Sequence, residues 1–283
     1  MIIVTGANGQ LGRMVAERLL DRVPAAQVGA STRDPEGAQA LSERGVRVRR
    51  GDFGDPASLA HAFEGASKVL VVSTDRTGET AVGHHRAAIE AAVAAGAQRI
   101  VYTSHMGASP SSPFPPMPDH AATEGALRDC GVAYTALRNG FYATSAAALL
   151  GAAAKTGELV APEDGPVAWT AHADLTDAAV HYLTEEDLDG PTPALTGPEA
   201  VDMAGIAEIA SRLTGRPIRR IVVSDDDYRA GLIAHGVPEP QADMLLGLFA
   251  ASRQGDFAPA GSALAKLLGR PATPVADVLK TAV

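Results

Sequence analysis

Three glycines near the start of the chain have the spacing of a phosphate-binding turn. Gly6, Gly9 and Gly12 follow a short apolar run at residues 2–5 and open a segment with helical spacing. In such a turn the first glycine permits a sharp bend, the second lets the backbone approach a pyrophosphate, and the third lets the helix pack on the strand. The free N–H groups of the helix would face the phosphates. The pattern predicts a dinucleotide site; the alternative is a glycine-rich turn without a ligand.

The end of the second predicted strand bears on which dinucleotide is bound. An acidic residue there binds the free ribose hydroxyls of NAD, whereas an arginine accommodates the extra phosphate of NADP. Here the strand ends in Ser31-Thr32-Arg33-Asp34, and a guanidinium matches a phosphate bidentately. Thr32 and Arg33 therefore favour NADPH. Two alternatives stay open: Asp34 would favour NADH if the register shifted by one residue, and Arg33 could be a solvated loop residue.

Two further pairs of residues follow strands at the same edge of the predicted sheet. Asp52 can accept a hydrogen bond from the adenine amino group, and Phe53 can pack against its ring. The alternative is that Asp52 only caps the helix that starts near Asp55-Pro56. Ser73 and Thr74 end the fourth strand, where the adenine–ribose side of the cofactor would pass.

The elements that position these residues alternate between short apolar runs and alanine-rich helical segments. Six strands are predicted, at residues 2–5, 27–32, 46–50, 68–73, 98–104 and 132–137. Strands at this spacing, each followed by a helix, predict a Rossmann-type, doubly wound α/β fold with a parallel sheet. We therefore expect an NADP-binding domain at residues 1–150.

The regular alternation of predicted strands and helices ends after residue 150. Residues 157–161 and 167–171 are predicted as two strands that extend the edge of the sheet. Helical segments follow at 173–184, 202–214, 225–235, 239–253 and 262–269. We expect a smaller, mostly helical, substrate-binding lobe at 185–283. The proline-rich segment 109–118 is either a surface loop or an active-site rim with Phe114 and Met117 facing substrate.

Charge and composition limit the partners. The net charge of −9 over 283 residues argues against nucleic acid or an anionic membrane, because neutralising phosphates needs clustered lysine and arginine. Cys130 is the one cysteine, so no intrachain disulfide can form. His84-His85 lacks a matching carboxylate or cysteine, so no metal site is predicted. Without a signal peptide or an apolar span, a cytoplasmic protein is expected, with a homodimer as the commonest oligomer.

Six segments, spread over nearly the whole chain, carry a family resemblance. They are Val4-Thr-Gly-Ala-Asn-Gly-Gln-Leu-Gly12, Gly51-Asp-Phe53, Val101-Tyr-Thr-Ser104, His120-Ala-Ala-Thr-Glu124, Tyr134-Thr-Ala-Leu-Arg-Asn-Gly-Phe-Tyr142 and Gly236-Val-Pro-Glu-Pro240. The last two are the most specific. In these segments the chain resembles the NmrA-like atypical short-chain dehydrogenases/reductases. Within them it is most similar to the type 2 NAD(P)H:quinone oxidoreductases and triphenylmethane reductase.

The resemblance implies NADPH-dependent hydride transfer to a quinone or similar conjugated acceptor. It implies that the cofactor site also includes Asn8, Gln10, Leu11, Ser104, Asn139, Gly140 and Phe141. Phe141 and Tyr142 would offer flat faces to the nicotinamide and the acceptor; the alternative is an ordinary strand-to-helix turn with buried aromatics. His105, Met106 and Trp169 are further candidates for the pocket wall, although a core position is the default for a tryptophan.

Ordinary short-chain dehydrogenases use a Tyr-x-x-x-Lys pair, and this chain lacks one. None of its five tyrosines is followed four residues later by lysine. This points away from alcohol oxidation, which needs a base, and is compatible with quinone reduction, which mainly needs orientation. The resemblance implies that His120 stands where isoflavone-reductase-like relatives carry a catalytic lysine. His120 and Tyr142 are therefore candidate catalytic residues, with a structural histidine as the alternative.

The missing acid–base pair also suits a second hypothesis. Some NmrA-like proteins bind a dinucleotide without turnover and report redox state by binding a regulatory protein. The match to the enzymatic branch in residues 137–142 and 236–240 favours the reductase.

Overall fold

A computed structural model describes residues 1–151, 153–185 and 188–281. Its strands are β1 (Ile2–Thr5), β2 (Val28–Thr32), β3 (Arg47–Arg50), β4 (Lys68–Val71), β5 (Arg99–His105), β6 (Ala133–Asn139), β7 (Phe141–Tyr142), β8 (Glu158–Pro162), β9 (Trp169–Thr170), β10 (Gly190–Pro191) and β11 (Arg219–Val223). Its helices are α1 (Gln10–Leu19), α2 (Gln39–Glu43), α3 (Pro56–Phe63), α4 (Gly78–Ala94), α5 (Pro116–Asp129), α6 (Ala143–Leu150), α7 (Ala153–Thr156), α8 (His172–Thr184), α9 (Met203–Thr214), α10 (Asp225–Ala234), α11 (Glu239–Arg253), α12 (Ala263–Leu268) and α13 (Val275–Leu279).

The central sheet has seven parallel strands in the order β10-β6-β5-β4-β1-β2-β3. The order reverses beside β1, which pairs with β2 on one side and β4 on the other. In open sheets of this kind, ligands bind outside the carboxyl ends of the strands at the point of reversal. The Rossmann-type fold predicted from the sequence is confirmed.

The expectation that strands within 157–171 extend this sheet is wrong. β8 pairs with β11, and β9 pairs with β7, in two small parallel sheets of their own. The edge strand of the central sheet is instead β10. A strand inside a doubly covered parallel sheet is buried on both faces, whereas β8 alternates between exposed and buried residues and leaves 46% of Val160 exposed. That alternation suits a two-stranded ribbon with one face to solvent.

Successive residues of β1 face opposite sides of the sheet, as the strand period requires. Val4 packs with Leu11, Leu175 and Leu264 in a core beneath α1, α8 and α12. Ile3 packs in a second core on the other face, with residues of α3, α4 and α5. Because α8 packs in the first core and β10 pairs with β6, these two elements belong structurally with the dinucleotide-type fold.

A third core lies under the C-terminal helices and takes in part of the proline-rich segment. Phe114 and Met117 are 9% and 1% exposed within it, so the segment is packed against the core and is not a loose surface loop. The segment is also fixed to the C-terminal region, since the Ser112 hydroxyl donates to Asp256 at 2.6 Å. The helix that follows begins at Pro116, three residues earlier than the sequence pattern indicated. None of the described helices combines the length and apolarity needed to cross a bilayer.

Replacing Gly12 with alanine is expected to lower the free energy of unfolding by about 1–3 kcal/mol, as overpacking does. The added Cβ would lie 2.4 Å from the carbonyl oxygen of Gly6 and 2.9 Å from that of Thr5. The helix must therefore move off the strand, which would also weaken dinucleotide binding. Urea denaturation and cofactor titration measure the two effects.

The matched control is Gly125→Ala in the middle of α5, where an added Cβ meets no atom within 4 Å. This variant should gain about 0.5–1 kcal/mol from the better helix former. Equal stabilities of the two variants would contradict the close packing of α1 on β1.

Candidate active site

A cavity of about 550 Å³ opens at the carboxyl ends of β1, β2, β3 and β4. Its walls come from the turns that follow these four strands and from His84 on α4. The lining residues are Gly6, Asn8, Gly9, Thr32, Arg33, Asp34, Gly51, Asp52, Phe53, Val72, Ser73, Thr74, Asp75, Arg76 and His84. Nine of the residues expected at the cofactor from the sequence therefore lie around one cleft, at the position where this fold binds ligands.

The glycine turn has the geometry of a phosphate cradle. Gly6 has a φ of +61°, which favours glycine, and the Gly9 amide donates to the Gly6 carbonyl at 2.8 Å. No side chain caps the start of α1, so its first amides stay available to an anion. Gln10 is exposed at this end of the helix. The Leu11 side chain is buried in the core, so only its backbone can face a ligand.

Asn8 supplies a second sign that the cleft fits a dinucleotide. Its amide nitrogen donates to the Asp34 carbonyl at 2.7 Å, while its Oδ1 atom is buried without a partner. A buried acceptor left unsatisfied is costly, and a bound ligand at the cleft would satisfy it. The uncapped helix and this oxygen together fit a group with both phosphates and hydroxyls.

Arg33 and Asp34 occupy different roles at the end of β2. The Asp34 carboxylate accepts the Glu36 amide at 3.1 Å, and the Asp34 amide donates to the buried Thr32 hydroxyl at 3.3 Å. Asp34 is therefore engaged in its own turn. The Arg33 side chain is exposed and has no hydrogen bond or ion pair with any residue in the described ranges. It is free to bind a phosphate at the mouth of the cleft.

The opposite wall is built from the turn after β3 and from α4. Asp52 accepts the Gly54 amide at 3.0 Å, whereas the cap of α3 is Asp55, which accepts the Ser58 amide. Asp52 is therefore not the helix cap that the sequence left as its alternative role. The Phe53 ring meets the His84 ring edge-on, with centroids 6.4 Å apart. His84 and Arg76 line the cleft, and sequence reasoning had assigned no role to either.

Side chains hold the end of β4 open toward the cleft. The Val72 amide donates to the Thr5 hydroxyl at 2.8 Å, and the Ser73 amide donates to the Thr103 hydroxyl at 2.8 Å. The Thr74 amide donates to Nε2 of the buried His85 at 3.0 Å. These three partners replace the sheet ladder where the strand ends, and they fix the backbone on which Ser73 and Thr74 sit.

Three further residues expected at the cofactor are buried and outside the cleft lining. The Ser104 hydroxyl donates to Glu124 at 2.6 Å, and Glu124 pairs with the Arg138 guanidinium through two bonds of 2.7 and 3.0 Å. Gly140 is required by packing, since a Cβ there would meet the Thr170 hydroxyl. Asn139 is 2% exposed, and among the residues that the structure describes neither atom of its amide finds a hydrogen-bond partner.

An aromatic cluster lies beyond these residues. The Phe141 ring is within 5.7 Å, centroid to centroid, of four other rings: those of His105, Phe114, Trp169 and Phe257. Trp169 is 1% exposed and donates its indole N–H to the Val201 carbonyl at 2.8 Å. It therefore supports Phe141 from behind and does not itself line a pocket. His105 and Met106 are half-buried.

The two candidate catalytic residues are also half-buried. The Nδ1 atom of His120 lies 2.7 Å from the Tyr102 hydroxyl, and burial lowers the pKa of His120 to about 4. Burial lowers the pKa of His105 to about 3. Burial raises the pKa of Tyr142 to about 12. At neutral pH all three side chains are thus uncharged and can act as hydrogen-bonding groups. In the described ranges no three potential ligands gather at a metal site.

Comparison with known proteins places this geometry in a family. Residues 6–186 match the family described as NAD(P)H-binding. The chain is 37% identical to quinone oxidoreductase 2 of Escherichia coli strain K12, over 98% of this chain and 96% of that protein. It is 29% identical to the NAD(P)H azoreductase of Xenophilus azovorans, over 99% and 97%.

Two solved structures match over almost their whole length. The NADPH-dependent quinone oxidoreductase of Escherichia coli in complex with NADPH superposes with a TM-score of 0.94 at 36% identity, covering 99% of each chain. The triphenylmethane reductase of Citrobacter sp. in complex with NADP(H) superposes with a TM-score of 0.92 at 34% identity, covering 100% of each chain.

The buried His85 is expected to make the fold acid-sensitive. Burial lowers its pKa from 6.5 to about 3, so the folded protein keeps it neutral while the unfolded chain takes up a proton below pH 6.5. The stability present at neutral pH is therefore lost as the pH falls from about 6.5 toward 3, by up to about 1.4 kcal/mol per pH unit. Urea denaturation at several pH values between 7 and 4.5 measures this slope.

In His85→Gln the slope should become shallower. His61→Gln, at an exposed position on α3, is the matched control and should keep the wild-type slope. Parallel slopes for wild type and His85→Gln would rule out the buried neutral histidine as a source of acid sensitivity.

Proposed function

This chain belongs to the NAD(P)H-binding family of NmrA-like proteins, and we propose that it transfers hydride from NADPH to a quinone or a similar conjugated acceptor. It is an NAD(P)H-dependent oxidoreductase. The relatives' names denote reductases of quinones, azo compounds and triphenylmethane dyes, all of which are conjugated acceptors. The acceptor class is thus the part of the proposal that needs testing.

The observation that carries the proposal is the character of the groups near the carboxyl ends of β5 and β6. Phe141, His105, His120 and Tyr142 offer flat faces and neutral hydrogen-bonding atoms, without a charged base. Alcohol oxidation needs a group that takes the hydroxyl proton. A conjugated acceptor needs only to be held at reacting distance and to have its developing negative charge stabilised.

Each part of the chain has a separate task in this reaction. NADPH, when bound, supplies the hydride. The amides after Gly6 and at the start of α1 would bind the pyrophosphate, and Arg33 the ribose phosphate. Asp52 and Phe53 would hold the adenine. Phe141, packed from behind by Trp169, would keep water from the reacting face, and solvent would return the final proton.

We further propose the division of labour expected from the sequence. Residues 1–150, completed by α8 and β10, would bind the cofactor, and residues 185–283 would shape the acceptor site. Phe257 supports this assignment, because it contacts His105, Phe114 and Phe141 from the C-terminal lobe. The cytoplasmic location and the homodimer stay predictions.

The proposed reaction is tested by following NADPH oxidation at the nicotinamide absorbance band, with and without a small benzoquinone. Acceptor-dependent loss of NADPH is expected. An azo dye and a triphenylmethane dye, assayed in parallel, would rank the conjugated acceptors. Tight NADPH binding without oxidation by any of these acceptors would contradict the reductase and favour the redox-sensor alternative.

Arg33→Gln is expected to raise the dissociation constant for NADPH about ten- to a hundredfold, the loss of one charge-assisted phosphate contact of about 1.5–3 kcal/mol. Binding of NADH, which lacks that phosphate, should be nearly unchanged. Fluorescence titration of the two reduced cofactors against wild type and variant measures the difference.

Arg86→Gln is the matched control, because this exposed arginine lies on α4 and outside the cleft lining. It should leave the preference for NADPH intact. Equal losses for NADPH and NADH in Arg33→Gln would exclude Arg33 as the residue that reads the ribose phosphate.

A further inference from the structure

A chain of hydrogen bonds connects the cofactor cleft to His120, and each group in it donates to the next. It starts at the Thr74 amide, which lines the cleft and donates to Nε2 of His85 at 3.0 Å. The Nδ1 atom of His85 lies 2.8 Å from the Thr123 hydroxyl and 3.4 Å from the Tyr102 hydroxyl. The Tyr102 hydroxyl in turn lies 2.7 Å from Nδ1 of His120. His85 and Tyr102 are buried, so water does not compete for these bonds.

The direction of each bond follows from its first member. A backbone amide can only donate, so Nε2 of His85 accepts and the proton of the neutral ring is on Nδ1. That proton is directed at the Thr123 and Tyr102 oxygens; the Thr123 hydroxyl has its own proton on the Asp119 carbonyl. The Tyr102 oxygen faces the His85 proton, and the hydroxyl donates its own proton along its shortest contact, the 2.7 Å bond to Nδ1 of His120. A neutral His120 that accepts at Nδ1 must carry its proton on Nε2.

The Nε2 atom of His120 is the free end of this chain of hydrogen bonds. It makes no hydrogen bond within the described residues, and it is not completely sealed from solvent. The ring stacks on that of His105 at 6.1 Å, and His105 meets Phe141 edge-on at 5.2 Å. The donor thus lies beside the aromatic cluster against which the proposed acceptor would stack.

We propose that Tyr102 is a positioning residue that, with His85, fixes His120 in the tautomer protonated at Nε2, and that this N–H donates to the acceptor oxygen that gains negative charge. This inference rests on the proposed function. His120 acts as a neutral hydrogen-bond donor and keeps its proton throughout, because the loss of that proton would leave an anionic imidazole in a buried site. It stabilises charge in the manner of an oxyanion hole, and no side chain changes protonation state.

The tautomer is read directly by long-range proton–nitrogen NMR of the full-length chain labelled with ¹⁵N-histidine, with and without NADP⁺. His120→Leu assigns the His120 signals by their loss. We expect a single neutral form protonated at Nε2 between pH 6 and 8. A ring protonated at Nδ1, or at both nitrogens, would overturn the proposal whether or not any quinone is reduced.

The positioning role is tested with Tyr102→Phe, which removes the hydroxyl and keeps the ring. We expect His120 to lose its single tautomer, and kcat with benzoquinone to fall about tenfold, less than the hundredfold typical of losing a whole donor. The NADPH dissociation constant should stay within twofold of wild type, which also shows that the variant is folded. The matched control is Tyr134→Phe, which should change neither readout. Tyr134 lies on β6, and its hydroxyl makes no hydrogen bond within the described residues.

The two hypotheses fail in different ways. An unchanged His120 spectrum and an unchanged kcat in Tyr102→Phe would overturn the positioning role and leave the quinone reductase standing. A wild-type chain that oxidises NADPH with none of the acceptors would remove the catalytic part of the inference, while the spectrum alone would still decide the tautomer.

Discussion

Helix α1 can present its first amides to a phosphate only because it begins directly against β1. Gly12 permits this contact, since any side chain there would collide with the carbonyl oxygens of Gly6 and Thr5. The turn that connects strand and helix then has little freedom, and Gly6 takes the left-handed conformation needed to close it. This contact lies beside β1, where the strand order reverses and the cleft opens. The positive end of the helix dipole is therefore directed at the cleft.

The rest of the cleft depends on side chains that extend the sheet after its strands end. Thr5, Thr103 and His85 each accept one backbone amide of the segment that follows β4. Without them that segment would carry unsatisfied amides in a half-buried position, at a cost of about 1–3 kcal/mol each. The same histidine also starts the chain of hydrogen bonds toward His120. One buried side chain therefore fixes a wall of the cleft and, in the proposed mechanism, helps to orient His120.

The parts that sequence reasoning predicted are those whose signal is local. The glycine turn and the six principal strands are encoded within a few neighbouring residues, and the structure contains them with bounds shifted by at most a few positions. The prediction that the strands after residue 150 extend the sheet edge is wrong, because a strand's own residues do not reveal its pairing partner. The partner of β8 is β11, some sixty residues further along the chain. His85 was missed because it was weighed only as a metal ligand, and its contacts to Thr74, Tyr102 and Thr123 depend on the fold.

The aromatic cluster around Phe141 is assembled from segments far apart in the chain, whereas the phosphate turn is one continuous stretch. Phe114 comes from the proline-rich segment, Trp169 from β9 and Phe257 from the C-terminal region. Substitutions in any one of them can reshape the acceptor side while the glycine turn and Arg33 are untouched. Cofactor binding can therefore be conserved while the preference for an acceptor changes. This gives a physical route by which one ancestral chain could diversify into reductases of chemically different dyes and quinones.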